Sequence, residues 1–291
     1  MELGGTKTVC GVVATGGTLL ERESFPTTEP QETLRHAAEF LTAAALTHGE
    51  LSGVGIASFG PVCVDERSPD YGRVLRTPKV GWLDTNVCDL VRELTALPVA
   101  LDTDVNGALR AEAKWGAGVG HTSGVYVTVG TGIGAGVMID GAVIGGSRHP
   151  EIGHMMLPRF EDDTEFSGSC PFHEGRCAEG LASGTAIEQR WGRPAVELDT
   201  SHPAWDLEAR YLAALCLNLM LTLMPARIIL GGGVLRQPQL IGQVRTWFLT
   251  FLNGYVELSS LSGTVEELIV APALGEDAGV LGASVVFAER A

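Results

Sequence analysis

A chain of 291 residues that is 45% hydrophobic, with a mean hydropathy of +0.19, carries ample apolar material for a packed core, and its length points to two lobes rather than one. Its 35 acidic residues against 20 basic ones leave a net charge of −15 with no Lys/Arg cluster able to track a phosphate backbone, which argues against a nucleic-acid partner. A membrane span needs about eighteen uncharged apolar residues in a row, and the longest candidate, "LAALCLNLMLTLMP" from Leu212 to Pro225, holds Asn218 and stops at a proline, so no membrane partner is expected.

The N-terminus shows no basic segment followed by an apolar one, so the expected compartment is the reducing cytoplasm, where six cysteines do not read as a disulfide framework. Cys10, Cys63, Cys88 and Cys216 stand singly in apolar surroundings and read as small buried hydrophobes.

The opening "MELGGTKTVCGVVATGGTLLE" predicts a glycine turn, an apolar β-branched run from Thr8 to Ala14, a Gly16-Gly17 turn and a further short strand, a β-meander. Leu34, Ala37, Ala38, Leu41, Ala44 and Ala45 recur at helical spacing over 31–48. "GVGIASFGP" follows as a buried strand ending in Gly60-Pro61, then a polar loop, a helix near 84–95, and "LPVALDTDVNGAL", a strand that runs into a helix. The opening pattern then returns in "GVYVTVGTGIGAGVMIDGAVIGG", residues 124–146, so the two halves of the chain begin alike. Residues 207–224 predict a long apolar helix, "RIILGGGV" a strand opening into three glycines, and "GEDAGVLGASVVFAE" a closing helix. Two α/β lobes are implied, 1–106 completed by a C-terminal helix 276–291, and 107–275.

Three glycine clusters follow or interrupt strands: Gly4-Gly5-Thr6, Gly130-Thr131-Gly132, and Gly231-Gly232-Gly233. Glycine there lets backbone N–H groups approach and cradle an anion. Gly130 to Ala135 matches G-x-G-x-x-A in form, but "GVMIDGAV" after it reads as strand and turn where a dinucleotide fold needs a helix. No G-x-x-x-x-G-K-[ST] loop occurs either, which leaves phosphate binding at hairpin turns.

Taken in order, "ELGGTK", "TDVNGA", "VTVGTGIGAGV", "HPEIGH", "CPFHEGRCAEG" and "ILGGGV" resemble the ROK family of sugar kinases and repressors, most closely its bacterial fructokinase-like branch. The resemblance spans nearly the whole chain. It implies an actin-like, RNase H-like two-lobed α/β fold, ATP and Mg²⁺ in an interlobe cleft, a hexose substrate and a homodimer. It maps the catalytic base onto Asp104, with Asp102 as the local competitor, and nucleotide contacts onto Gly5, Thr6, Lys7, Gly130, Thr131, Gly132, Gly231, Gly232 and Gly233. Phosphoryl transfer asks for little more than this, a group that orients and deprotonates the attacking hydroxyl and groups that offset phosphate charge. On residue type alone Asp104 reads equally as a cap of the following helix. Glu2 stands where the family more often has Asp, a water-mediated magnesium ligand.

The same resemblance makes Glu151, His154 and Glu179 contacts to sugar hydroxyls, with Gly60, Pro61, Thr103 and the segment "TPKVGW" (77–82) completing the sugar wall. Cys170, His173 and Cys177 offer three soft ligands on one short loop, and tetrahedral zinc takes four. His154 is the expected fourth, giving a structural zinc within the loop 154–177. The expected activity is ATP-dependent phosphorylation of a free hexose at its primary hydroxyl, fructose first, with glucose, mannose or N-acylmannosamine as alternative substrates. A repressor of the family would carry a basic helix-turn-helix ahead of the phosphate turn, and an idle sugar sensor would not need Asp104.

Overall fold

The structure is a computed structural model that describes residues 1–77, 79–145, 149–260 and 263–290. The expectations that fall on Pro78, Gly146 and Ala291 lie outside the described residues. Its contacts divide into two units, Met1–Val119 with Val143–His149 and Leu274–Ala291, and Gly120–Ala142 with Pro150–Ala273.

In the first unit the Gly4-Gly5-Thr6 turn joins β1 (Glu2–Leu3) to β2 (Lys7–Val13), and β3 (Leu19–Pro26) follows antiparallel to β2. β4 (Val54–Ser58) runs parallel to β1 and β5 (Val99–Thr103) parallel to β4, giving the order β3-β2-β1-β4-β5. All of β4 is buried, as a parallel strand covered on both faces must be, which is why "VGIAS" has no polar alternation. α1 (Pro30–His48) starts on a proline, whose missing N–H costs nothing in a first turn. α2 (Val87–Thr95) is capped by Asn86, whose side chain accepts the Asp89 N–H, and α3 (Asp104–Trp115) leaves the end of β5 directly. The C-terminal helix, Ala278–Arg290, completes this unit.

The second unit repeats the scheme with β6 (Gly124–Val129), β7 (Ile133–Ile139), β8 (Ala142–Val143), β9 (Ile228–Gly231) and β10 (Ile269–Val270) in the order β10-β9-β6-β7-β8. Read from its other edge, that sheet matches the first strand for strand: β6 pairs antiparallel with β7 and parallel with β9, as β1 does with β2 and β4. Its helices are α4 (Ala178–Ala182), α5 (Gly184–Trp191), α6 (Ala204–Leu223), α7 (Leu240–Leu252) and α8 (Val265–Leu268). No helix of the structure is long and apolar enough to cross a membrane, among the described residues.

The contacts divide the chain after Val119, with Val143–His149 returning to the first unit, where the sequence places the expected boundary after residue 106. The reason is the packing of α3. Gly107 lies against the C-terminal helix and β4 so closely that a Cβ there would stand 2.9 Å from the Ala57 Cβ and 3.6 Å from the carbonyl carbon of Gly282. A helix seated that tightly cannot belong to another unit.

Candidate active site and metal centre

The β5–α3 junction assigns different work to three successive polar residues. Thr103, 2% exposed, is the cap of α3: its hydroxyl oxygen accepts the Asn106 N–H at 3.2 Å. Asp102, 1% exposed, accepts from the Thr103 N–H (2.8 Å), Asn106 Nδ2 (2.7 Å), Arg110 Nη2 (3.3 Å) and Arg290 Nη2 (2.9 Å). Asp104 is thereby relieved of both capping and pairing. Its carboxylate is half-buried and accepts the neighbouring Val105 N–H, at 2.9 Å, with no side-chain donor among the described residues. Burial pushes the Asp104 carboxyl up to about 7 and the Glu2 carboxylate adds to the rise, against the lowering effect of the Val105 N–H.

Glu2 is half-buried on β1, and burial raises its carboxyl too, with Lys7 as the main opposing charge. A buried carboxyl whose ionisation a second carboxylate disfavours is an arrangement a divalent cation relieves, so Glu2 and Asp104 fit a hard cation near them. The Gly4-Gly5-Thr6 turn beside Glu2 leaves Gly5, Thr6 and Lys7 exposed, and a Cβ on Gly5 would meet nothing within 4 Å.

The corresponding turn in the second unit is held from below. Gly130 N–H donates to the Gly132 carbonyl (2.9 Å), the Gly184 N–H to the Gly130 carbonyl (2.7 Å), and the Thr185 hydroxyl to the Thr131 carbonyl (2.8 Å). Of the three glycines that end and follow β9, Gly231 and Gly232 are required by packing: a Cβ on Gly231 would stand 2.5 Å from the Tyr126 hydroxyl, and Gly232 has φ of 95° against Val129. Gly233 is exposed with no atom near its missing Cβ. Gly5, Gly130 and Gly233 are thus the glycines of the expected nucleotide set with room beside them, and Gly132, Gly231 and Gly232 are closely packed.

Gly60 and Pro61 follow β4 through a cis peptide, and Lys79 and Trp82 reach the chain just ahead of α1, Lys79 Nζ donating to the Thr27 carbonyl and the buried Trp82 donating its Nε1–H to the Thr28 carbonyl, both at 2.8 Å. A residue that sequence reasoning missed stands here. His149 Nε2 and Cε1 come within 3.4 Å of the position a Gly60 Cβ would take, placing an imidazole on the expected sugar wall. It opens the segment "HPEIGH", in which the expected sugar contacts are Glu151 and His154.

Glu151 precedes a 3-10 turn, Ile152–His154, and its carbonyl accepts the His154 N–H at 2.9 Å. Glu179, on α4, accepts the Ile133 N–H at 3.0 Å through Oε2, so it reaches the phosphate-type hairpin from the loop side. The Ile133 carbonyl in turn lies where Gly153 would carry a Cβ, which sets the His154 turn against the same strand end.

His154, Cys170, His173 and Cys177 converge: their ligand atoms all lie within 4.8 Å of one another. Cys170 Sγ is 3.4 Å from His173 Nδ1 and 3.9 Å from His154 Nδ1, and Cys177 Sγ is 3.6 Å from His154 Nδ1. Zinc at about 2.3 Å from sulfur and 2.0–2.1 Å from nitrogen sets tetrahedral ligand atoms roughly 3.3–3.8 Å apart, so the donor set fits it. Pairing of 155–157 with 176–178 brings His154 to Cys177, through Leu157 N–H to the Arg176 carbonyl and Ala178 N–H to the Met155 carbonyl, both 2.9 Å. Gly168 and Gly175 cross at positive φ, 88° and 65°, with no room between them for a Cβ. Cys177 caps α4 and accepts the Gly180 N–H at 3.4 Å. Burial pushes its thiol up to about 11, a setting that keeps sulfur protonated until a cation reverses the balance. All six cysteines are free.

Two units of one strand order, each opening on a glycine-turn hairpin, define an actin-like, RNase H-like α/β ATPase fold. The chain belongs to the ROK family, whose model matches residues 1–290. A fructokinase of Zymomonas mobilis is 43% identical, covering 97% of this chain and 93% of that protein, and a glucokinase of Thermotoga maritima is 28% identical over 100% and 96%. Among solved structures, a ROK hexokinase from Thermus thermophilus is similar with a TM-score of 0.76 and 29% identity, covering 99% of this chain and 97% of that one. A ROK family glucokinase from Streptomyces griseus, in complex with glucose and AMPPNP, also has a TM-score of 0.76, with 25% identity over 98% and 97%.

Proposed function

We propose that this chain transfers the γ-phosphoryl group of ATP to the primary hydroxyl of a free hexose, with fructose the preferred substrate and fructose 6-phosphate the product. Family membership and near full-length similarity to a fructokinase support the sugar-kinase activity, and the AMPPNP complex of a related glucokinase supports ATP as the donor. The observation that carries the reading is the freedom of Asp104: Thr103 caps the helix, Asp102 is consumed by two arginines, and the remaining carboxyl titrates near neutrality.

In this reading an Asp104 oxygen accepts the proton of the hexose hydroxyl as its oxygen attacks the γ-phosphorus and ADP leaves. Backbone N–H groups at Gly5-Thr6, Gly130 to Gly132 and Gly231 to Gly233 hold the nucleotide, with Lys7 beside the first turn. Glu151, His154 and Glu179 bind hexose hydroxyls, and Gly60, Pro61 and Thr103 are further sugar-binding residues. Mg²⁺, reached from Glu2 through water, would offset charge on the phosphate oxygens. Zinc on His154, Cys170, His173 and Cys177 would be structural; His154 turns Nδ1 to the thiols, which leaves Nε2 for a hydroxyl. Six free cysteines suit a cytoplasmic protein, and the chain forms a homodimer as the family resemblance implies.

The test is ATP turnover over a panel of fructose, glucose, mannose and N-acetylmannosamine. Higher kcat/KM for fructose than for glucose is expected. Replacing Thr103 by Asn keeps an N-cap and adds an amide, so Thr103→Asn should narrow the gap. Glucose as the better substrate would reject the fructose preference alone; turnover of none of the four would reject the kinase reading.

A further inference from the structure

α4 is five residues long, too short to hold itself helical, yet it carries Glu179. Its start is fixed by Cys177, a zinc ligand in the reading above. Its end is fixed by something else. Arg190 of α5 donates through Nη2 to the Leu181 carbonyl at 2.8 Å, and the same guanidinium grips Asp163 with Nε to Oδ1 and Nη2 to Oδ2, both 3.0 Å. The Tyr211 hydroxyl of α6 donates to Asp163 Oδ2 at 2.6 Å.

These groups are out of water, with 7% side-chain exposure for Arg190 and 5% for Asp163. Phe166 lies over the guanidinium, its ring centroid 4.3 Å away, and Arg159 ties the loop ends by donating to the Asp163 and Phe166 carbonyls. A buried ion pair adds little net stability unless its geometry is nearly complete; here the fork is bidentate and the second oxygen takes a hydroxyl as well. What such a cluster provides is a fixed position. It joins 159–166, just ahead of Cys170, to α4, α5 and α6 without using any metal ligand.

We propose that Asp163, Arg190 and Tyr211 form a metal-independent clamp that positions α4, and with it Glu179, for hexose binding, the zinc site anchoring the other end. The role of Glu179 rests on the function proposed above; the clamp itself does not. Its members are positioning residues, since none of them is placed against the substrate.

The test uses the full chain with Tyr211→Phe, which removes one hydrogen bond and keeps the ring, together with Asp163→Asn and Arg190→Lys. For Tyr211→Phe and Asp163→Asn the clamp predicts a fructose KM raised by about tenfold with kcat within about threefold. Amide exchange should accelerate in 159–166 and 178–182 while the strands keep their protection, and zinc should pass to a chelator about tenfold faster from each folded variant than from the unmodified protein. Arg190→Lys, which keeps charge and loses the fork, should fall between the unmodified protein and Asp163→Asn. Unchanged exchange at 178–182 with unchanged zinc release in folded variants would overturn the clamp, as would exchange raised evenly through the second unit. If the unmodified protein phosphorylates no hexose, the function reading fails, while exchange and zinc release still judge the clamp.

Discussion

Asp102 and Asp104 stand two residues apart at the end of β5 and carry the same side chain, yet their surroundings separate them. Asp102 is locked to Arg110, Arg290 and Asn106, whereas the Asp104 carboxylate meets backbone N–H and no side-chain donor among the described residues. The carboxyl of Asp104 rises to about 7, above the usual carboxylate range, so the ionised form, the base of the proposed reaction, is lost as pH falls through that value. The acid limb of kcat/KM should therefore lie near neutrality, and Glu2→Gln, by removing a like charge, should move that limb to lower pH; an acid limb near about 4 in the unmodified protein would contradict this. A second buried carboxyl, Glu208 on α6, is 1% exposed with neither oxygen hydrogen-bonded among the described residues, and burial raises it well above the ordinary range. Its folded state favours the proton more than its unfolded state does, so it costs stability as pH rises above about 4.5. Glu208→Gln should raise the melting temperature at pH 8 more than at pH 5, and an equal change at both would refute the assignment.

At the scale of elements, the glycine turns and the metal loop were legible because their chemistry is local. Gly130-Thr131-Gly132 between alternating strands predicts a hairpin, and Cys170, His173 and Cys177 lie within eight positions of sequence. His154 as fourth ligand came through resemblance, since the pairing of 155–157 with 176–178 that delivers it is not written in spacing. On residue type alone Asp104 reads equally as a base or as the cap of α3; the cap is Thr103, because Thr and Asp both suit that position and only the backbone decides. For the metal loop, protein purified without chelator should contain one zinc per chain, and its removal should raise the fructose KM more than the ATP KM. Absence of zinc, or an equal effect on both substrates, would contradict a structural zinc that serves the sugar side.

Over the whole molecule, the duplication read from two similar openings extends to the complete strand order of both sheets. The boundary was not legible, because what assigns α3 to the first unit is a helix more than 160 residues later: Gly107 meets Gly282, and Arg290 reaches Asp102 across 188 positions. Such contacts have no local signature. They nevertheless place the β5–α3 junction, since Asp102 ties β5, α3 and the C-terminal helix together directly beside Asp104. The account as a whole comes down to one carboxylate left free by that framework. Its most direct test is the turnover of Asp104→Asn with ATP and fructose, beside the fructose affinity of the same variant. The account predicts kcat lowered by at least about 10²-fold with fructose affinity within about threefold of the unmodified protein. Near-normal kcat in Asp104→Asn would contradict it.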